Sequence, residues 1–331
     1  MKTGIAVFLT ALICQLLGWP PMFAVITAIV TIEPTAADSI KKAYVRFPAS
    51  AIGAAFSVIF NFAFGDSPLT YMLVAMATII ACYKLRLHEG TLVAVLTGVA
   101  MISTVHDHYV SSFFVRLATT GIGLSVSTLV NLLVIRPNYF DAIRTKTAQF
   151  ILKTGDLIEK RGKEIIELQP LHQETKADFE KLLKDIESVE TLCQYQKKEW
   201  KLHQFNREDI RTFRYEYKKL NLLRQINYHV GNLISVPTLE LSLKKERIIA
   251  NMVTALKTTL HHPHFEMDHQ HVQVVEELLA HFKHTVGEQV PLGHSFSPGT
   301  IILYELLSIH DLLEELRHLH TLEMRHQELF E

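Results

Sequence analysis

The chain has 331 residues and a formal net charge of −1, with 48% hydrophobic and 20% charged residues, so no basic excess points to nucleic acid. The balance hides a division, because residues 1–135 hold only 12 of the 67 charged residues. Three scattered cysteines, Cys14, Cys82 and Cys193, exclude a disulfide framework and any Cys-based zinc site, and Cys14 and Cys82 read as small buried hydrophobes.

The first part, 1–136, reads as a membrane domain. Lys2 followed by an apolar run to Leu17 resembles a signal peptide, but no small-x-small site follows and Gly18-Trp19-Pro20-Pro21 leads into another apolar stretch. Six apolar segments are predicted, at about 3–18, 21–35, 46–64, 68–83, 90–105 and 113–135. They are separated at Trp19-Pro20-Pro21, 36–45, Gly65–Pro68, Lys84–Glu89 and His106–Ser112. Several fall short of the ~20 residues that a straight span needs, so tilting or local thinning is expected. Lys2, then Lys41, Lys42 and Arg46, then Lys84 and Arg86, then Arg136 alternate with connections free of Lys and Arg. By the positive-inside rule this predicts six spans with both termini cytoplasmic.

A shift of 70 residues lays 24–61 over 94–131 with ten of 38 positions identical. The matches include Arg46/Arg116, Ile52/Ile122, Gly53/Gly123, Ser57/Ser127 and Asn61/Asn131. Three spans per copy is an odd number, so the second copy would enter the membrane inverted, an arrangement that secondary transporters use around a central site. Gly53, Ser57 and Asn61 share one helix face, as do Gly123, Ser127 and Asn131. The Gly and Ser positions are expected to pack helices closely, whereas the two asparagines either line a polar path or bridge helices.

From 137 to 331 the pattern is helical throughout and predicts a soluble bundle of five or six helices, giving an all-α chain. Phe179, Leu182, Leu183, Ile186, Val189 and Cys193 form one apolar stripe; Leu306, Ile309, Leu313 and Leu316 form another. Asn206 and Ser297-Pro298 mark helix starts. The stretch HHPHFEMDHQH, residues 261–271, lacks ligand spacing and is expected to be an exposed connector; metal binding and pH response are weaker alternatives. His106-Asp107-His108 carries no more weight. The chain has no P-loop, GxSxG or HExxH, so neither an enzyme nor an ATP-driven pump is indicated, and no cofactor or metal is expected.

The stretch TIEPT, residues 31–35, with Ser39, Lys41, Arg46 and Gly53, resembles the aromatic acid exporter and fusaric-acid-resistance-like membrane proteins. The second half resembles the cytoplasmic helical domain of the branch called member 1. The resemblance implies a multi-pass bacterial plasma-membrane protein exporting aromatic carboxylates, driven by the proton gradient. Related six-span modules act in pairs, so it also implies a homo-oligomer in the lipid bilayer. It assigns no site residue; the candidates come from the residues themselves. Glu33 either ends the second helix at the interface, reaching water or paired with Lys41 or Arg46, or carries the coupling proton. Arg116 is a positive charge on the side that the topology rule disfavours, and it offers a guanidinium to a carboxylate substrate. Glu33, Arg46, Asn61, Arg116 and Asn131 are thus the candidate substrate or proton pathway. An uncoupled anion channel and a membrane-anchored scaffold or sensor are the alternatives.

Overall fold

The computed structural model describes residues 1–103, 109–134, 138–202, 206–237, 240–288 and 297–328. Among these there are twelve α-helices, a short 3-10 turn at His88–Gly90 and no strand. The chain divides into two compact units: Met1–Asn138 with Lys197–Gln204, and Tyr139–Gln196 with Phe205–Glu331. The predicted joint at Arg136-Pro137 and the motif His106-Asp107-His108 lie outside the described residues.

The first unit contains α1 (Lys2–Leu16), α2 (Met22–Thr31), α3 (Ala36–Phe64), α4 (Pro68–Lys84), α5 (Thr91–Ile102) and α6 (Tyr109–Leu133). α3 and α6 are long and apolar enough to cross a membrane; the other four are shorter apolar helices. Burial here reverses that of a water-soluble bundle. α1 buries Ala6, Thr10 and Cys14, and α4 buries Thr70, Val74, Thr78 and Cys82, each set one residue in four. Meanwhile Phe8, Ile59, Phe62, Met76, Ile80 and Leu92 lie on the surface. Small and polar residues inside with large apolar ones outside is the arrangement that hydrocarbon solvent favours, because close backbone packing replaces the hydrophobic effect there.

The expected break at 36–45 is instead the first ten residues of α3. Thr35 has extended backbone and its Oγ1 accepts the Asp38 N–H at 3.0 Å, so a capped helix starts at Ala36. Asp38 in the first turn suits the helix dipole, and the charges at 41, 42 and 46 interrupt nothing. Pro48 lies inside α3, removing one backbone donor without ending the helix. α6 likewise starts at Tyr109, inside the expected break 106–112. Also within this unit, the Lys198 ammonium meets both Asp38 carboxylate oxygens at 2.9 Å, and Glu199 accepts the Ala36 N–H at 2.6 Å. The start of α3 is therefore held by the Glu199 carboxylate on its first N–H and by the Lys198 ammonium on its own Asp38.

The helices of the first unit meet through glycine. A Cβ on Gly53 would stand 2.1 Å from the Ala94 carbonyl oxygen, and one on Gly123 would stand 2.4 Å from that of Ala24. Positions 53 and 123, and 24 and 94, are both 70 apart, so each glycine packs on the alanine of the other copy. Ser50 and Thr120, also 70 apart, face each other with hydroxyls 3.4 Å apart.

The second unit contains α7 (Phe140–Ile166), most of α8 (Gln173–Glu199), α9 (Arg207–Ser235), α10 (Leu243–His261), α11 (His269–Glu288) and α12 (Pro298–Glu328). α7 packs on α9 and α10, and α12 on α9, α10 and α11. Asn206 precedes α9, and Ser297 Oγ accepts the Thr300 N–H at the start of α12. Leu182, Ile186, Val189 and Cys193 are buried along α8, as are Leu306, Ile309, Leu313 and Leu316 along α12. The histidine stretch differs from expectation. His261 closes α10, 269–271 open α11, and His271 is 2% exposed, held by Thr259 at 3.0 Å and His310 at 3.1 Å. The charged letters around it hide the α10–α11 turn that folds this one ring inward.

Candidate functional site

Glu33 follows the end of α2, and α3 returns past it. Its Oε1 lies 3.0 Å from Arg46 Nη2 and its Oε2 lies 3.0 Å from Lys42 Nζ, with the carboxylate side chain 15% exposed. The second cation is Lys42 where Lys41 was an expected partner, because 42 and 46 share a face of α3 and 41 does not. Arg46 also donates from Nη1 to the Val30 carbonyl at 2.8 Å, satisfying a carbonyl at the end of α2.

Asn131 completes this corner. Its Nδ2 lies 3.0 Å from the Glu33 carbonyl, 3.2 Å from that of Thr35 and 2.7 Å from Ser39 Oγ, while its Oδ1 accepts from Lys2 Nζ at 2.8 Å. In the other copy Asn61 Nδ2 donates to the Ile102 carbonyl, the last residue of α5, at 3.2 Å. Asn61 thus serves the C-terminal carbonyl of α5 and Asn131 the carbonyls of the α2–α3 connection, groups that hydrocarbon cannot solvate. Ser57 is fully buried beside Gly53, and Ser127 donates back to the Leu124 carbonyl at 3.1 Å.

Arg116 on α6 has a different environment from its counterpart Arg46. It is 6% exposed, donates from Nη2 to Thr97 Oγ1 at 2.8 Å, and lays its guanidinium carbon 3.6 Å from the centre of the Phe23 ring. Ser50 Oγ donates to the same Thr97 hydroxyl at 3.2 Å, linking Arg116 through Thr97 to the Ser50–Thr120 contact. Among the described residues neither Nε nor Nη1 of Arg116 has a hydrogen-bond partner, and no carboxylate pairs with it. The counterpart of Glu33 is Ser103, so the cation recurs at position 116 whereas the acid does not recur at 103. A buried guanidinium with two free donors, an aromatic face and neighbouring hydroxyls is chemically a carboxylate receptor. Arg46 and Glu33 show how such a carboxylate engages an arginine at the equivalent position.

Structure brings the five candidate pathway residues into two groups. Glu33, Arg46 and Asn131 meet at the α2–α3 corner; Arg116 stands with Phe23, Thr97 and Ser50; Asn61 belongs to neither. Phe23, Lys42 and Thr97 were not anticipated as site residues. Thr97 had a usable signal, as the repeat partner of Thr27. Among the described residues no group of three or more His, Cys, Asp or Glu side chains is placed to hold a metal ion.

Residues 1–134 match the profile of aromatic acid exporter family member 1. A UPF0421 protein of Bacillus cereus (strain ZK / E33L) is 43% identical over 324 residues, covering 96% of this chain and 91% of the relative. UPF0421 proteins of Oceanobacillus iheyensis and Staphylococcus haemolyticus are 40% and 37% identical, over 95% of this chain and 93% and 94% of those relatives.

Proposed function

The chain belongs to the UPF0421 proteins and, through residues 1–134, to the aromatic acid exporter family, and on that premise we propose that it carries organic anions out of a bacterial cell. The observation that carries the proposal is Arg116, a buried cation in the apolar unit with no counter-ion among the described residues. Leaving a charge unpaired in such surroundings costs at least ~2.5–3.5 kcal/mol, which a substrate carboxylate offsets on arrival. Phe23 against the guanidinium favours a flat substrate, an aromatic carboxylate first.

The transport reading is alternating access by two inverted three-helix copies, forming a six-span bundle with the helical unit in the cytoplasm and the chain assembled as a homo-oligomer. Support comes from the exchange of contacts at a shift of 70, Gly53 on Ala94 and Gly123 on Ala24, which makes the two halves of the bundle near-equivalent. Proton coupling falls to Glu33: a proton there discharges the acid that holds Arg46 and Lys42, and frees the α2–α3 corner to move.

The test is efflux from cells preloaded with aromatic and aliphatic carboxylates, comparing wild type, Arg116→Gln and a null strain, with and without an uncoupler. Loss of a charge-assisted contact worth ~1.5–3 kcal/mol predicts that Arg116→Gln slows efflux by roughly 10- to 100-fold, with normal membrane levels. Efflux that is unchanged in Arg116→Gln removes the residue from the site. Efflux that ignores the uncoupler replaces the coupled carrier with an anion channel, and no difference between wild type and null replaces it with a scaffold.

A further inference from the structure

The second unit contains a cavity of about 340 Å³, walled by α7, α9, the end of α10 with its following turn, and α12. Such a volume suits a small metabolite, within the ~300–1,000 Å³ span of ligand sites. Most of its polar groups are engaged. His261 holds Asp156 at 3.2 Å and the Lys257 carbonyl at 3.0 Å. His262 Nδ1 accepts the backbone N–H groups of His264 and Glu266. His320 meets His264 at 3.3 Å and stands edge-on to the Phe265 ring.

Two groups are left over, both on α7. Thr147 is fully buried, lines the cavity, and its hydroxyl has no hydrogen-bond partner. Arg144, three residues earlier on α7, is exposed and lines the same cavity; among the described residues it makes no ion pair, although its charge reaches Glu216. A guanidinium and a hydroxyl at that spacing form a cradle for a carboxylate.

Across the cavity the surplus has the opposite sign. Lys219 is shared by two carboxylates, Glu216 at 2.9 Å and Glu323 at 2.5 Å, so this buried trio carries one negative charge too many. Burial and the neighbouring Glu323 push the Glu216 carboxyl above its ordinary value, against the pull of Lys219 and, more weakly, of Arg144. Arg144 and Glu216 feel each other without forming an ion pair, and a ligand with both charges matches the gap between them.

We infer that this cavity is a binding site for a small zwitterion, an α-amino acid, whose carboxylate meets Arg144 and Thr147 and whose ammonium meets Glu216. Phe265 and Pro263 give its side chain an apolar wall. The site is independent of the Arg116 receptor and of what the protein transports.

The experiment is calorimetric titration of the purified full-length chain in detergent with a panel of L-α-amino acids. The best binder is then compared with its des-amino acid and its decarboxylated amine. Saturable binding is expected for at least one amino acid, weaker by tenfold or more for both analogues. Arg144→Gln and the near-isosteric Thr147→Val are each expected to weaken it tenfold or more with unchanged far-UV circular dichroism, and Arg116→Gln is expected to leave it intact. A silent panel overturns the inference, and so does an analogue that binds as well as the amino acid. Equal affinity in Arg144→Gln and Thr147→Val also overturns it.

Discussion

Arg46 and Arg116 are the same residue at equivalent places in two copies, and Glu33 separates their fates. For Arg46 the carboxylate and the Val30 carbonyl engage both terminal nitrogens, so it fastens the α2–α3 corner. That fastening is measurable. Arg46→Gln leaves Glu33 with Lys42 alone, and about 1–3 kcal/mol of destabilisation is expected, below the ~3–5 kcal/mol of a fully buried pair stripped of a partner. Glu33→Gln combined with Arg46→Gln is expected to recover part of that loss. Thermal unfolding of the four members of this cycle checks it; additivity within ~0.5 kcal/mol means that the two side chains are not coupled. Much of this was legible beforehand: Glu33 before Pro34, with cations following, announced an ion pair. The choice of Lys42 over Lys41 was not, because it depends on α3 already being helical at 36–45, which the charges there disguised. Nor does a single chain reveal that Phe23, 93 residues from Arg116, lies under its guanidinium.

At the scale of helices, close approach is the main source of cohesion in the first unit. Large apolar side chains point outward there, so contact rests on residues that allow backbones to touch. Gly53→Ala directs a Cβ at the Ala94 carbonyl, a backbone atom that cannot turn aside, and overpacking of this kind costs ~1–3 kcal/mol. A lowered melting temperature in detergent is expected for Gly53→Ala, and none for Gly4→Ala, where nothing lies within 4 Å. Equal melting of the two variants refutes the assignment. The repeat was visible as matching letters, Gly53 with Gly123 and Asn61 with Asn131, but letters alone do not say that each copy packs on the other. Helix ends were less legible than helix faces. Cap chemistry at Thr35 and Pro48 inside α3 both run against the simple rule that polar or proline-bearing stretches break a span.

The whole molecule combines two chemistries, and they answer differently to pH. In the second unit His271 and His310 are both held below the ordinary 6.5, chiefly by burial and, for His271, also by the neighbouring ring. The unfolded chain therefore takes up protons first, and the folded state loses stability as pH falls below about 6.5. Glu216, raised above its ordinary 4.5, works in the opposite sense but in the lower window just above that value. Calorimetric melting of the full-length chain is expected to fall between pH 7.5 and 5.5, and the His271→Gln/His310→Gln double variant to flatten that slope. An unchanged slope refutes the assignment. In composition, 12 of 67 charged residues in the first 135 positions is a statement about solvent. It was silent on the buried His271, which lies in a stretch that reads as exposed.

The bare guanidinium of Arg116 has a practical consequence. A molecule that stores a charge with no counter-ion among its described residues is least stable when empty, and whatever neutralises that charge raises its melting point. At a hundred times its dissociation constant a ligand adds ~2.7 kcal/mol of stability, enough to read by thermal melting in detergent. The physiological cargo can therefore be sought among plain solutions of candidate acids, without a cell, a gradient or a transport assay, by asking which of them the protein resists heat to keep.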